Sequence, residues 1–433
     1  MRRVAASAGA LAIVFGAGML VNQTAAGEKP GKRPALAAPD LENLPGIIFD
    51  GSIGDWVVDR FAGNSTAGTR IYQGPAREVG GLRNIKQALA MPDGTVYMAC
   101  GTMGHCSLLV DLVKVTPDGT LRLVMERNGR VEGPMEECRA GRPIWNPKGK
   151  ALYLTGPNCL RKVVKKPDGS RWVEVVAGIP NKAPGPKEKQ QDGPAKQATF
   201  KSFDRGVVCN SRGTFYWLES MPRSGRLRRI ENGVVSTVPL KRPDNASQYF
   251  LNFAMGSGLL SLGENDDTLY ISDYYGQDGY VVLKCDLKTG LLTRICGVNR
   301  EAMKTMSPSQ LEVFKRYHSE TDGPALTHVG GNSGMLGHYD AFHNALWISC
   351  ADPLRLRWLK LDGDGWVRTV FGAKRPETKR QRYDDNGLGI PGEQFEAHYP
   401  HTIGFDAKGG VFVNNFWNNT GVWRAYSRKE AKQ

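Results

Sequence analysis

The sequence lacks the short motifs that identify several large classes of enzyme. No Gly-x-Ser-x-Gly turn carries a nucleophilic serine. The Gly149-Lys150 pair has Ile144 where a phosphate-binding loop needs glycine. Cys-x-x-Cys pairs are also absent, which excludes a Cys-x-x-Cys-His haem attachment and leaves no zinc-site spacing. These absences exclude elbow-type serine chemistry, P-loop nucleotide chemistry and c-type haem proteins.

Long hydrophobic runs are also scarce. The sequence has one, and it lies at the N-terminus. Arg2 and Arg3 precede an apolar run over residues 11–21, and Thr24-Ala25-Ala26 follows as a small-residue cleavage site. The run is shorter than the ~20 apolar residues that span a bilayer. The pattern predicts a signal peptide over residues 1–26. We therefore expect an exported chain, secreted or periplasmic, with no transmembrane segment in its mature part.

Large apolar side chains are also few just after the predicted cleavage site. Residues 27–45 are rich in glycine, proline, lysine and alanine. Such a composition buries too little apolar surface to offset the entropy of folding, and it predicts a flexible basic linker. The folded part of the chain is expected to be residues 46–433.

Acidic residues are fewer than basic ones, 43 against 57, and the formal net charge is +14. A basic surface favours anionic partners, such as acidic polysaccharides or other anionic components of a cell envelope. The basic residues are scattered, and no module of interleaved aromatic and basic residues is present. Nucleic acid is therefore not an expected partner.

The eight cysteines permit disulfide bonds in an exported protein. Cys285 and Cys296 flank the turn Lys288-Thr289-Gly290, and this spacing predicts a bond between adjacent strands. Two further candidate pairs lie within single units of the chain. They are Cys100 with Cys106, and Cys138 with Cys159.

A degenerate cassette recurs roughly every 60 residues, as expected of stacked supersecondary units. The clearest copy is Asp192-Gly-Pro-Ala-Lys-Gln-Ala-Thr-Phe200, with partial copies at Glu132-Gly-Pro and Asp322-Gly-Pro and weaker echoes at Gly74-Pro75 and Asn386-Gly387. Each is followed by short apolar runs separated by turn residues, which predicts four short strands per unit. Six second strands are expected, and they end at Cys100, Gly156, Glu219, Asp273, Cys350 and Asn415.

The two ends of the chain are complementary in strand number. The last unit stops without a fourth strand, whereas residues 56–63 near the N-terminus form a strand with no unit of its own. Pairing the two predicts a closed ring without exposed sheet edges. The tryptophans that recur at strand positions are expected to form the core between units: Trp145, Trp217, Trp347 and Trp417.

The order of the cassette, the inner strand, an Asp-x-x-Gly turn and the second strand resembles the NHL-repeat β-propeller family. The resemblance implies an all-β fold, a six-bladed β-propeller of four-stranded antiparallel blades closed by an N-terminal strand. Two departures stand out. Unit four has Pro243–Tyr249 in place of the cassette, and Ser307-Pro308 begins a predicted helical insertion near residues 305–320.

Propeller sites usually form where the inner strands begin, around the central channel. Polar residues at or near those positions are candidate ligand contacts: Lys86, Arg205, His338 and His398. The segment His398–Asp406 resembles the blade opening of peptidyl-hydroxyglycine amidating lyases and virginiamycin B lyases through Pro400, His401 and Asp406. That resemblance implies a catalytic or metal-assisting role for His401.

A second resemblance is to gluconolactonase-like propellers, which bind one divalent cation, typically calcium, through oxygen donors. Glu219, Asp273 and Asn415 offer such donors at second-strand ends and are the candidate metal ligands. A terminal acid or amide on this strand is also part of the plain repeat.

Two functions therefore remain in view. The first is an exported binding or scaffold module for a peptide, a glycan, a small molecule or an envelope component. The second is a metal-dependent channel enzyme, either a lactone hydrolase or a lyase. The cofactor is not identified by the sequence; it would be calcium or zinc if the chain is an enzyme.

Overall fold

A computed structural model describes residues 56–428 with internal gaps. The gaps are residues 65–71, 81, 83–84, 102–109, 183–191, 201–202, 204–205, 222–223, 242–258, 275–279, 298–306, 309–322, 326–334, 351–354, 364, 372–388, 393–394, 396–399 and 416–420. The predicted signal peptide, the linker and all but Ser307 and Pro308 of the predicted helical insertion lie outside the described residues.

The strands form six antiparallel sheets, each the blade of a β-propeller, as predicted. Blade 1 contains β2 (Gln73–Pro75), β3 (Ile85–Ala90), β4 (Val96–Gly101), β5 (Val110–Val115) and β6 (Thr120–Met125). Blade 2 contains β7 (Gly133–Pro134), β8 (Pro143–Asn146), β9 (Ala151–Gly156), β10 (Cys159–Lys165) and β11 (Arg171–Gly178), with a 3₁₀ turn at Met135–Glu137. Blade 3 contains β12 (Gly193–Pro194), β13 (Val207–Cys209), β14 (Phe215–Met221), β15 (Ser224–Glu231) and β16 (Val234–Val238).

The other three blades repeat the arrangement. Blade 4 contains β17 (Leu259–Leu262), β18 (Thr268–Tyr274), β19 (Tyr280–Asp286) and β20 (Leu292–Cys296). Blade 5 contains β21 (Gly323–Pro324), β22 (Met335–Asp340), β23 (Ala345–Cys350), β24 (Arg355–Lys360) and β25 (Trp366–Phe371). Blade 6 contains β26 (Ile390–Pro391), β27 (Pro400–Phe405), β28 (Val411–Asn415), β29 (Val422–Ser427) and β1 (Trp56–Ala62). Among the described residues no helix is long and apolar enough to cross a membrane.

The Gly-Pro of the cassette forms a short fifth strand on the outer edge of a blade. Its glycines share a positive φ, 132° at Gly74 and Gly133 and 139° at Gly193, which side-chain-bearing residues rarely adopt. In blade 4 four strands are described, and the segment Pro243–Tyr249 that stands in place of the cassette lies outside the described residues. In blade 6 the short strand is Ile390–Pro391, beyond the weak echo at Asn386-Gly387. The cassette therefore accounts for a strand that the sequence did not predict.

The ring is closed as predicted, by pairing the N-terminal strand with the last one. β1 runs antiparallel to β29, with Trp56 opposite Ser427 and Ala62 opposite Val422. Its other edge is covered by β26, where Val57 lies opposite Pro391. Both edges of the closing strand are therefore occupied.

The hydrophobic core is divided among the six interfaces between neighbouring blades. Trp217 and Trp347 are fully buried in two of these interfaces, which confirms their predicted role. Trp145 is only half-buried, and Trp417 lies outside the described residues. Trp423 and Trp56, which the sequence pattern did not single out, are buried in the interface between blades 5 and 6.

The predicted bond between Cys285 and Cys296 is wrong. Across the hairpin Cys285 lies opposite Leu292, whereas Cys296 lies opposite Val282. The two thiols also belong to different cores, Cys285 to the interface of blades 3 and 4 and Cys296 to that of blades 4 and 5. The turn is centred nearer to Cys285 than to Cys296, so Cys296 lies four residues farther along its strand than Leu292, the residue opposite Cys285. The two side chains are therefore separated along the strand and across the sheet.

The other two predicted disulfide pairs have different outcomes. Cys138 and Cys159 are buried and are not joined to each other. Cys106, the predicted partner of Cys100, lies outside the described residues.

Alkylation without reduction tests the corrected cysteine assignment. Burial raises the pKa of Cys285 to about 12, so its thiol should resist labelling in the native protein near neutral pH. After unfolding in denaturant alone, peptide mass spectrometry should find both Cys285 and Cys296 alkylated. Recovery of the two as a linked peptide would contradict the described register.

Replacing Trp56 tests how much the closing strand contributes to stability. Trp56 is 2% exposed, and its ring centroid lies 4.9 Å from that of Trp347. Trp56→Ala should lower the free energy of unfolding by about 3–5 kcal/mol in urea titrations, because it leaves a cavity at the seam. The matched control is Trp172→Ala, at an indole 37% exposed, which should cost within about 0.5 kcal/mol. Equal losses would show that the seam is not especially sensitive.

Candidate functional site

The six predicted second-strand ends occupy equivalent positions in the described sheets. In five blades each lies opposite the first residues of the third strand, as Cys100 lies opposite Asp111 and Glu219 opposite Arg226. The same register holds for Gly156, Asp273 and Cys350, and Asn415 follows the last paired residue of its strand. These positions therefore form one level of the propeller, at the end where the inner strands begin.

Glu219 is tied into a chain of charges at this level. Its side chain is fully buried, and the guanidinium of Arg228 donates to its Oε2 over 2.8 Å from Nη1. The other terminal nitrogen of Arg228, Nη2, lies 2.9 Å from Oδ1 of Asp192 in the cassette. Arg228 also lies over the ring of Trp217, 5.8 Å from its centroid. The buried carboxylate is thus neutralised by a cation that is itself fixed by a second acid.

This pairing bears directly on metal binding. A metal ion at Glu219 would have to share the carboxylate with a guanidinium, and two cations at that distance repel each other strongly in a buried environment. The side chains of Asp273 and Asn415 lie outside the described part of the structure. Within that part, no three histidine, cysteine or acidic side chains are grouped so that they could hold a metal ion.

A buried arginine recurs in the third strand of three blades, opposite the residue two positions before the second-strand end, which sequence reasoning missed. Arg161, Arg228 and Arg357 are each fully buried and each follows a buried leucine. The visible signal was the recurring Leu-Arg dipeptide in β10, β15 and β24. Three units of the repeat therefore share a buried arginine close to their second-strand ends.

Arg161 shows what this position does in blade 2, where the second strand ends at Gly156 and not at an acid. Its guanidinium donates to the carbonyl oxygens of Arg139, Ala140 and Thr155 over 2.7, 3.0 and 2.6 Å. Burial lowers its pKa to about 10, so it stays protonated at neutral pH. A Cβ on Gly141 would lie 1.9 Å from the Thr155 carbonyl oxygen. Glycine at this inner-strand start therefore leaves room for the arginine and the strand to meet.

The predicted inner-strand residues lie at two different depths. Lys86 is half-buried at a bulge, where Ile85 lies opposite Cys100 and Gln87 opposite Ala99. His401 lies opposite Asn414, at the equivalent level of blade 6. The side chain of His401 is not described, and Arg205 and His398 lie wholly outside the described residues.

His338 lies deeper. It is opposite Trp347, two residues beyond the level of His401, or roughly 7 Å at the usual strand rise. Its ring centroid is 6.4 Å from that of Phe405 on the next inner strand. His338 and His401 are therefore on neighbouring strands but not at one level of the channel.

Asp406, the third residue of the lyase-like segment, lies at the opposite end of β27 from His401. Its Oδ1 accepts the backbone N–H groups of Lys408 and Gly410 over 2.8 and 2.9 Å, and its Oδ2 accepts from Nε of Arg424 over 2.7 Å. These contacts fix the turn between the inner and second strands. Asp406 therefore shapes a hairpin in this blade.

A buried acid–histidine pair, which the sequence pattern did not reveal, lies at the far end of blade 5. Oδ2 of Asp340 is 2.5 Å from Nδ1 of His343 and accepts the Trp347 indole N–H over 2.9 Å. The His343 ring packs 5.4 Å from that of Trp56. The pair therefore orients an imidazole against the closing strand, at the opposite end of the propeller from the second-strand ends.

Unfolding measurements on the Glu219–Arg228 pair test its role. Arg228→Met removes the cation that is paired with the buried Glu219 carboxylate and should cost about 3–5 kcal/mol. Glu219→Gln should cost less, about 1–2 kcal/mol, because Arg228 retains Asp192. The control is Arg229→Met, at a side chain 41% exposed, which should change stability by about 0.5 kcal/mol or less. A larger loss for Glu219→Gln than for Arg228→Met would contradict the described pairing.

Comparison with known proteins gives similarity of fold and little else. No protein-family model and no curated protein matches the sequence. An auxiliary nutrient binding protein from Bacteroides ovatus aligns with a TM-score of 0.54 at 12% identity, over 86% of this chain and 76% of that one. A gluconolactonase from Xanthomonas campestris aligns with a TM-score of 0.42 at 10% identity, over 87% and 91% of the two chains. A luciferin-regenerating enzyme aligns with a TM-score of 0.45 at 10% identity, over 86% and 95%.

At these identities the similarity concerns the architecture alone. Together with the six sheets and the closing strand, it places the chain among six-bladed β-propellers.

Proposed function

We propose that the chain is an exported NHL-type propeller that acts as a binding module. It holds its ligand at the channel mouth, on the face where the second strands end. The observation that carries the proposal is the Glu219–Arg228–Asp192 chain. Glu219 is the predicted metal ligand whose side chain the structure describes, and this chain of charges holds it in a buried ion pair.

Other residues at this level support the proposal. Cys100 and Gly156 occupy two of the six equivalent positions and offer no oxygen side chain to a hard cation. In blade 1 the adjacent acid, Asp111, is itself paired, since it accepts from Nε of Arg127 over 3.0 Å and from the hydroxyl of Tyr72 over 3.1 Å. The carboxylates of Glu219 and Asp111 are thus neutralised within the fold, which suits a rigid, preformed recognition surface.

The assignment to the NHL type rests on the behaviour of the cassette. The Asp192 carboxylate accepts the backbone N–H and the hydroxyl of Thr237 over 2.9 and 3.1 Å. It thereby fastens the cassette to the fourth strand of its own blade while reaching Arg228. An Asp-Gly-Pro that recurs in the sequence and makes these contacts in blade 3 supports a repeat of the NHL kind.

The ligand class follows from surface chemistry. A formal net charge of +14 favours an anionic ligand, and Lys86 and His338 line the inner strands. A peptide, a glycan, a small molecule or an envelope component with acidic groups would fit. The nutrient-binding protein from Bacteroides ovatus shows that a protein of related fold carries a binding role, at an identity that concerns fold alone.

A metal-dependent channel enzyme is the second candidate, and one observation favours it. Asp273 and Asn415 share the second-strand level, and His401 begins the inner strand beside Asn415. Calcium would suit the oxygen donors, and zinc would suit a histidine. The ion would polarise a carbonyl or activate water there.

Metal analysis of the purified mature protein separates the two functions. The binding proposal predicts metal well below one ion per chain and a melting temperature that EDTA leaves within about 1 °C, because no ion stabilises the fold. The enzyme alternative predicts one calcium or zinc ion, lost in Asp273→Asn and kept in Glu219→Gln. One bound ion per chain, with a drop of several degrees in EDTA, would overturn the binding proposal.

A second experiment measures ligand binding directly, on an array of acidic peptides and envelope glycans. Any ligand that binds should lose affinity in Lys86→Ala/His338→Ala and keep it in the exposed control Lys408→Ala.

A further inference from the structure

A patch on the outer rim of blade 2, far from the channel, has the composition of a sugar-binding surface. Its centre is Trp172 on β11, which is 37% exposed. It is one of four large hydrophobic side chains exposed in the described part of the chain. Isolated exposed apolar residues are common, so the argument depends on what surrounds this one.

Charged side chains lie beside Trp172. The ammonium of Lys166 lies 5.4 Å from the indole centroid and 2.7 Å from Oε1 of Glu174. Lys162 lies opposite Glu174 across the β10–β11 hairpin. The pKa of Glu174 is lowered, first by the hydrogen bond from Lys166 and then by the charges of Lys166, Lys162 and Lys196, so the charge of all three lysines acts on this carboxylate.

We call Lys162, Lys166, Trp172, Glu174 and Lys196 the blade-2 platform. Its three lysines and one glutamate give it a net positive charge.

The propeller fold itself does not require tryptophan at this position. Trp172 lies opposite Pro134 of the short outer strand. The residues that lie opposite the corresponding proline are Thr120 in blade 1, Val234 in blade 3 and Trp366 in blade 5. Val234 is 51% exposed, so a small side chain fills this place without packing. Two blades therefore form with a small residue at this position, and Trp172 exposes more than a third of its surface there.

We propose that the blade-2 platform binds an acidic polysaccharide whose sugars carry carboxylates. The apolar face of a pyranose ring stacks on the indole, which offers a large, rigid contact surface. Lys166, already held at the ring, binds the sugar carboxylate, and Glu174 accepts sugar hydroxyl groups. Because the surface is a strand face rather than a cavity, affinity accumulates over several sugars of a polymer. This site is separate from the channel mouth and does not depend on the function proposed there.

The experiment measures binding of the mature protein to immobilised polygalacturonate, with dextran as the uncharged polymer. Binding to polygalacturonate and not to dextran is expected, and it should weaken as salt rises, because exposed charges are screened. Trp172→Ala should weaken binding at least about tenfold, as expected for a tryptophan at the centre of a contact. Trp172→Phe should retain most of the affinity, since a flat ring remains.

Charge variants separate the platform from the overall basic surface. Lys162→Ala/Lys166→Ala should weaken binding at least about tenfold and flatten its salt dependence. The matched control, Lys148→Ala/Lys408→Ala, removes the same charge at two exposed positions elsewhere and should bind within about twofold of wild type. Circular dichroism should show that all variants remain folded.

Three results would overturn the proposal. Trp172→Ala could bind as tightly as wild type. The control pair could lose as much affinity as the platform pair, which would show that only overall charge matters. Finally, the protein could bind phosphatidylglycerol vesicles through Trp172 and ignore polygalacturonate, which would make the platform a lipid contact.

Discussion

Backbone hydrogen bonds between β1 and β29 join the two ends of the chain inside one blade, and the rest of the ring depends on this pairing. Each blade buries its faces against two neighbours, so blades 5 and 1 both need a complete blade 6 between them. Without β1 the last blade would present an open edge, which sheets avoid. Because the paired strands are the first and last described in the chain, their contact has the longest loop to close and gains support from side-chain packing.

That support is aromatic. Trp56 contacts Trp347, Trp358 and Phe371, with ring centroids 4.9, 5.8 and 6.2 Å away. The imidazole of His343, held by Asp340, completes the packing around the first residue of the closing strand. The seam is therefore fastened by hydrogen bonds along β1 and by a cluster of rings at its start. With the ring closed, the six second-strand ends are held at one level around the channel.

Much of the architecture could be predicted because repetition averages out local ambiguity. The turn residues and the second-strand ends, from Cys100 in blade 1 to Asn415 in blade 6, recur from blade to blade. A unit with a degenerate pattern can therefore be assigned by comparison with the others. The closure followed from counting strands at the two ends. The fifth strand was missed because Gly-Pro looks like a turn until its positive φ is known.

The failures concern features that depend on register or on single contacts. The Cys285–Cys296 prediction assumed the wrong hairpin register. The strands pair Cys285 with Leu292, four residues before Cys296, and a bulge between Val282 and Leu283 then shifts the pairing by one more residue. Glu219 was identified by its place in the repeat, but its ion pair is made with Arg228 on the next strand. The Leu-Arg dipeptide does not show in the sequence that its arginine is buried. Asp340 and His343 are three residues apart, a spacing without meaning until the turn brings Nδ1 to the carboxylate.

Hydrogen exchange along β1 tests the central claim, closure of the ring by its own N-terminus, most directly. The account predicts that the amides of residues 56–62 exchange as slowly as those of β29, since both strands then open only with the whole blade. Rapid exchange over residues 56–62, at the rate of an unstructured segment while β28 and β29 stay protected, would contradict it.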